Sequence, residues 1–353
     1  MGNIEHFLIG KRDLNTENHW TELDSESYRI KKPTVLCFGG NKTIKSKDAN
    51  YLCKLAQNLV GIKTPKYQNE IATTNDIDFV GIAYGIDQTT GYGKNQKIAD
   101  TSCLTEEEIN ELAINIFCPL YIGNEGKKTK DQILKNFSQI TFLSHCHGAL
   151  EVNALLHKIH YNMTAIGIDE QTVKDAFNQF YSVSYAPREI VRCPGLQIIP
   201  EKDYTNFGGP ALSPISSDFL SHRFSNKQSG NGTVAFKENN NTISLIVSHI
   251  TNSDQDEHPI SYVQRDENWQ MLEEDIAYGN EVSIAMGVAL SYSIANGIQN
   301  QNSSQFIPKP TTDMLLTEIQ SVLGKTQNSK FIEDVERIKA NLTSNHHENQ
   351  IER

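Results

Sequence analysis

The chain has 353 residues, of which 38% are hydrophobic and 21% charged, and a formal net charge of −11. That length suits one large domain with insertions and allows a core without disulfide or metal staples. The acidic balance excludes general affinity for nucleic acid or anionic membranes, because phosphate binding needs clustered Lys and Arg, and Lys31-Lys32 and Lys127-Lys128 are too small to reverse it.

No apolar run approaches the roughly 18 residues of a membrane span. The segment MGNIEHFLIGKRDLN lacks the basic stretch and long apolar stretch of a signal peptide. His6 stands where N-myristoylation needs a small hydroxyl residue. Cys37, Cys53, Cys103, Cys118, Cys146 and Cys193 show no CxxC spacing. They read as reduced thiols in a cytoplasmic setting. The Asn-, Gln- and Lys-rich texture suits a bacterial protein, and secretion as an effector by a route without a signal peptide is the alternative location.

Residues 1–30 are polar and read as irregular. TVLCFGGN (34–41) is an apolar run ending in glycines, hence a buried strand entering a tight turn. Leu52, Leu55, Ala56 and Leu59 recur at helical spacing in 46–60. IDFVGIAYG (77–85) repeats the strand-to-glycine pattern, and Thr105 with Glu108 forms a capping box for a helix over 104–117. QITFLSHCHGALEVNALLHKIH (139–160) predicts a short strand, a turn of small residues and a helix. A further helix is expected over 170–180 and a strand over 182–187. This alternation predicts an α/β fold: a mostly parallel sheet with helices on both faces. The second half is less regular. A short strand is expected at 196–199 within an irregular insertion or lid at about 188–241, followed by the strand TISLIVSHI (242–250). Helices are expected over 281–296 and 330–342, the latter in a helical C-terminal extension of about 310–345, all in one domain spanning 1–353.

The chemistry concentrates at Ser144-His145-Cys146-His147-Gly148. Acyl-transfer enzymes often carry their nucleophile on a sharp strand-to-helix turn, with small residues two positions to either side. Ser144 and Gly148 hold those two flanking positions, and Cys146 holds the centre. A thiol there is activated by a helix N-terminus and by a neighbouring His. The backbone N–H of His147 supplies one half of an oxyanion hole, and Gly40-Asn41 the other, since glycine lets the backbone approach a substrate oxygen.

These segments resemble the α/β-hydrolase superfamily. PTVLCFGGN is similar to its strand and oxyanion loop, FVGIAYGIDQTTGYG to the following strand, ITFLSHCHGALEVNALL to the nucleophile elbow and SVSYAP to the next strand. Together they cover about residues 33–187, with cysteine in place of the usual serine and Ser144 in place of the first glycine. The resemblance implies a three-layer sandwich and a hydrolase or acyltransferase with nucleophile, acid and His in that chain order. Its substrate is an ester, thioester or amide of a small acyl or peptidyl compound, and no cofactor is required.

The base must then follow the elbow. His258 lies in the loop after the strand at 242–250 and is the first choice, with His249 at the end of that strand the second. Asp203 precedes both and is the expected acid, with Asp254 and Asp256 as local alternatives.

Three other readings compete. A caspase- or gingipain-like peptidase would take its His from SHCHG and use Cys193 as nucleophile. His145 and His147, two apart on a strand face, could chelate zinc with Cys146. A non-catalytic hydrolase-fold module could instead dock a protein partner through its polar C-terminal third.

Overall fold

The computed structural model describes residues 7–40, 43, 46–60, 76–84, 104–189, 191–200, 235–239, 242–247, 278–309 and 314–315. In chain order these form β1 (Leu8–Arg12), β2 (Trp20–Leu23), β3 (Thr34–Phe38), α1 (Ser46–Val60) and β4 (Asp78–Ala83). Then come α2 (Glu106–Leu112), a π-helical turn (Ala113–Phe117), α3 (Cys118–Tyr121), the small ladder β5 (Ile122–Gly123) and β6 (Gly126–Lys127), and α4 (Lys130–Ser138). The elbow region is β7 (Ile140–His145) and α5 (Gly148–Ala165), followed by α6 (Glu170–Phe177), β8 (Tyr181–Tyr185) and β9 (Gly195–Pro200). The described elements close with β10 (Ala235–Asn239), β11 (Thr242–Val247) and α7 (Tyr278–Asn302).

The main sheet has nine strands in the order β10-β11-β9-β8-β7-β3-β4-β1-β2. The strands from β11 through β4 run parallel, while β1, β2 and β10 pair antiparallel at the two edges. The α/β class expected from the alternating pattern is therefore the observed one. Alternate strand residues feed two separate cores, as the two-residue period of a strand requires. Val35, Cys37, Leu143 and Val183 pack with α1 and α7 on one face. Leu36, Phe38, Phe142 and Phe180 pack with α2 through α6 on the other. Because both faces are covered, β3, β7 and β8 are almost wholly buried, which explains their near-continuous apolar character.

The structure departs from the expected elements in four places. Residues 1–30 are not irregular throughout: β1 and β2 form an antiparallel hairpin on the sheet edge. The span 188–241 is not simply an insertion, since β9 sits inside the sheet between β8 and β11, and β10 forms its far edge. Helix α4, unannounced by the periodicity, is fixed by a Thr129–Gln132 capping box. The helix over 104–117 continues to Tyr121 with a π-helical turn in its middle. Pro119 lies just beyond that turn and cannot donate a backbone hydrogen bond, so the regular ladder is interrupted there. Most of the stretch between β9 and β10, and the expected helix at 330–342, lie outside the described residues. No helix among the described residues is long and apolar enough to cross a membrane.

Candidate functional site

The chain passes from β3 to β4 on one side and then returns to place β7 on the other side of β3. At such a reversal the connections leave on opposite faces, and a crevice opens beyond the carboxyl ends of the two strands. Gly39-Gly40 follows β3 there, and Cys146 follows β7.

Cys146 has φ = 53°, one of three non-glycine residues with a left-handed backbone among those described. An L-residue loses roughly 1–2 kcal/mol in that conformation, so the surroundings must over-determine it. They do so from several sides. Cys146 N donates to Tyr185 O at 3.3 Å, while Cys146 O accepts from Ala149 N at 3.3 Å and from Arg188 N at 3.1 Å. Gly148 opens α5 against the end of β3. A Cβ at that position would lie 2.1 Å from Phe38 O, so only glycine allows the helix to start here. On the other flank Ser144 is buried, and its Oγ lies 2.7 Å from Ser184 Oγ on β8. The small residues demanded by the turn are thus the residues present.

One imidazole within reach of the sulfur comes from the adjacent residue His147. Cys146 Sγ lies 3.5 Å from His147 Nδ1, and both residues are buried. Sequence reasoning gave His147 its backbone N–H and expected a neighbouring His to activate the thiol without saying which; the ring of His147 reaches the sulfur. The signal was present in the HCH triplet but is ambiguous, because which ring reaches the sulfur depends on the left-handed turn between them. His145 instead stacks on Tyr185, with ring centroids 6.1 Å apart. Gly40 is the expected oxyanion-loop residue closest to hand: a Cβ built on it would lie 3.4 Å from Cys146 Cβ and 3.5 Å from His145 Nδ1. Asn41, Asp203 and His258, with the alternatives His249, Asp254 and Asp256, lie outside the described residues.

Buried polar groups on α5 hold the flanking segments. Glu151 Oε2 accepts from Leu104 N at 3.3 Å, and Asn153 Oδ1 accepts from Arg192 N at 2.8 Å. Both carriers are buried, which makes these hydrogen bonds costly to break.

The geometry corrects two of the competing readings. Gly195 is level with Ser182, and Ser182 with Phe142. Cys193, two residues before Gly195, therefore belongs to the amino edge of the sheet, about five strand steps or roughly 16 Å from the level of His145. Burial pushes its thiol up to about 12. A peptidase pairing of Cys193 with the SHCHG histidines has no geometric basis. The competing zinc reading loses the shared strand face it relied on, because β7 ends at His145 and α5 begins after His147. Among the described residues no three His, Cys, Asp or Glu side chains gather as metal ligands.

Comparison with known proteins adds no family: no family model and no curated protein matches this chain.

Proposed function

We propose that the protein is a cysteine-dependent hydrolase or acyltransferase of the α/β-hydrolase type, acting on an ester, thioester or amide. The observation that carries this reading is Cys146 itself, held left-handed at the carboxyl end of a central strand with an imidazole nitrogen 3.5 Å from its sulfur. A structural thiol gains nothing from a strained backbone, whereas a nucleophile needs its side chain lifted clear of the strand.

In this reading the positive end of the 18-residue helix α5 and the His147 ring favour the thiolate. The sulfur attacks the substrate carbonyl carbon, and the carbonyl electrons move onto its oxygen. Backbone N–H groups at His147 and in the Gly40-Asn41 loop receive that oxyanion. His147, or His258 oriented by Asp203, returns the proton to the leaving group, and water or another acceptor then releases the acyl group from sulfur. The strand reversal between β3 and β7 supports the resemblance, since it brings an oxyanion-type loop and a nucleophile turn to one crevice.

The test is turnover of p-nitrophenyl acetate and of a short-chain acyl thioester. The wild-type chain should release product with an acyl group trapped on Cys146, seen by mass spectrometry of the quenched protein. Absence of any acyl adduct on Cys146 with both donors would contradict the proposal.

A further inference from the structure

The glycine turn beside Cys146 is fastened from the neighbouring strand. Because β3 lies between β4 and β7, Gly39-Gly40 has the end of β4 on one side and the Cys146 turn on the other. Tyr84 follows β4, and its hydroxyl donates to Gly39 O at 2.7 Å. Its backbone N–H donates to Thr43 O at 2.9 Å, and Thr43 N donates back to Gly40 O at 2.9 Å. Thr43 also crowds the first glycine: a Cβ at Gly39 would lie 1.9 Å from Thr43 Oγ1. The second glycine approaches the nucleophile turn, since a Cβ built on Gly40 would lie 3.4 Å from Cys146 Cβ. Gly39 and Tyr84 are buried, whereas Gly40 is half-buried.

These bonds constrain one peptide unit in particular. Gly39 O and Gly40 N–H belong to the same amide, which is planar and trans, so the two point in opposite directions. Fixing the carbonyl therefore fixes the direction of the N–H. Two successive glycines leave the backbone on both sides of this amide conformationally free, so its orientation has to come from outside. A hydrogen bond to the carbonyl also polarises the amide and strengthens its N–H as a donor. The phenol that supplies this bond is itself held by packing, in the same core as Phe38 and Phe142.

We propose that Tyr84 is the positioning residue of the oxyanion hole: its hydroxyl holds the Gly39 carbonyl on the β4 side and so keeps the Gly40 N–H turned toward the acyl oxygen on the Cys146 side. This role rests on the hydrolase reading of Cys146. Tyr84 acts through the amide rather than on the reacting atoms. As the sulfur attacks, the C–S bond forms and the carbonyl π pair moves onto oxygen. The preset N–H then meets that charge without any reordering of the loop. A tyrosine that only supported the strand end would affect every reaction of Cys146 equally. A positioning tyrosine matters only when an oxyanion forms.

The experiment compares two reactions of the same sulfur in the intact chain, each followed at Cys146 by mass spectrometry. Acylation by p-nitrophenyl acetate builds an oxyanion. Alkylation by iodoacetamide displaces iodide from a tetrahedral carbon and builds none. Tyr84→Phe keeps the ring in the core and removes the hydroxyl. It should slow acylation by about 10- to 30-fold, short of the roughly 10²–10³-fold cost of deleting an oxyanion donor outright, and leave alkylation within about twofold of wild type. Acylation at the wild-type rate in Tyr84→Phe, with the wild-type chain itself acylated, overturns the positioning role and leaves the hydrolase reading standing. So does an alkylation rate that changes as much as the acylation rate. A wild-type chain that alkylates at Cys146 but is never acylated there removes the hydrolase reading and the role of Tyr84 together.

Discussion

Cys146 and Cys193 are both buried thiols, 5% and 2% exposed, at opposite edges of the same sheet. Depth does not distinguish them. The backbone does: Cys146 turns left-handed into the start of a long helix and meets an imidazole, whereas Cys193 precedes β9 among apolar side chains. For Cys193 burial raises the thiol, with nearby Lys309 only partly offsetting it; at Cys146 the proposed mechanism relies on the helix N-terminus and the ring nitrogen to favour the charged form. Cys37 sides with Cys193, since burial pushes its thiol well up, with contact to Cys53 adding to the effect. In the proposed reading it is this strand-end geometry, rather than the residue type, that would make Cys146 a nucleophile and leave Cys193 a core thiol.

Replacing each thiol tests that contrast most severely. Cys146→Ala should lower ester turnover by about 10³-fold or more, while Cys193→Ala leaves turnover near wild type; the opposite pattern would reinstate the peptidase reading. Gly148→Ala should come next. Its methyl meets Phe38 O, so urea unfolding should show a loss of about 2–3 kcal/mol. An unchanged midpoint would mean that α5 does not need glycine at its start. His147→Ala should reduce turnover by roughly 10–100-fold and raise the pH at which Cys146 alkylates. If turnover falls with no shift in that pH, the ring positions the substrate rather than the thiolate.

The opposite edge gives a smaller, signed effect. Burial of the Lys309 amine, which donates to Ser293 Oγ and sits over the Tyr181 ring, lowers its pKa to about 7 in the folded state, so between that value and the ordinary lysine range the unfolded chain binds more protons. Stability contributed by this group is therefore lowest at and below about pH 7 and rises as pH increases toward about 10.4. Lys309→Met should flatten that rise in urea midpoints, and an identical slope in both proteins would refute the lowered value. Ala186, the left-handed residue that follows β8 beside the elbow, offers the mildest probe. Ala186→Gly should stabilise by about 0.5 kcal/mol, because relief of the left-handed strain slightly exceeds the added entropy of the unfolded chain.

The parallel half of the fold was legible because its strands are buried on both faces and so appear as apolar runs: TVLCF, DFVGIA and ITFLSH became β3, β4 and β7. The β1–β2 hairpin was not, because LIGKR and WTEL are short strands at the margin of the sheet and only partly buried. The turn at Cys146 was legible in the same way, since small residues flank it: Gly148 where the helix start crowds Phe38 O, and Ser144 where a buried hydroxyl meets Ser184. The approach of the His147 ring to sulfur was not, because it depends on the backbone at Cys146 and no spacing rule specifies a left-handed cysteine. Lys309 was silent for a different reason. Its environment comes from Thr141, Tyr181 and Ser293, which only the folded sheet edge brings together.

The most direct measurement is the pH dependence of iodoacetamide labelling, followed separately for each of the six cysteines in the folded chain. Cys146 should label first, with a midpoint below the free-thiol value of about 8.5, while Cys37 and Cys193 remain unmodified until unfolding. Equally slow labelling of all six, or a first reaction at Cys193, would contradict Cys146 as the nucleophile.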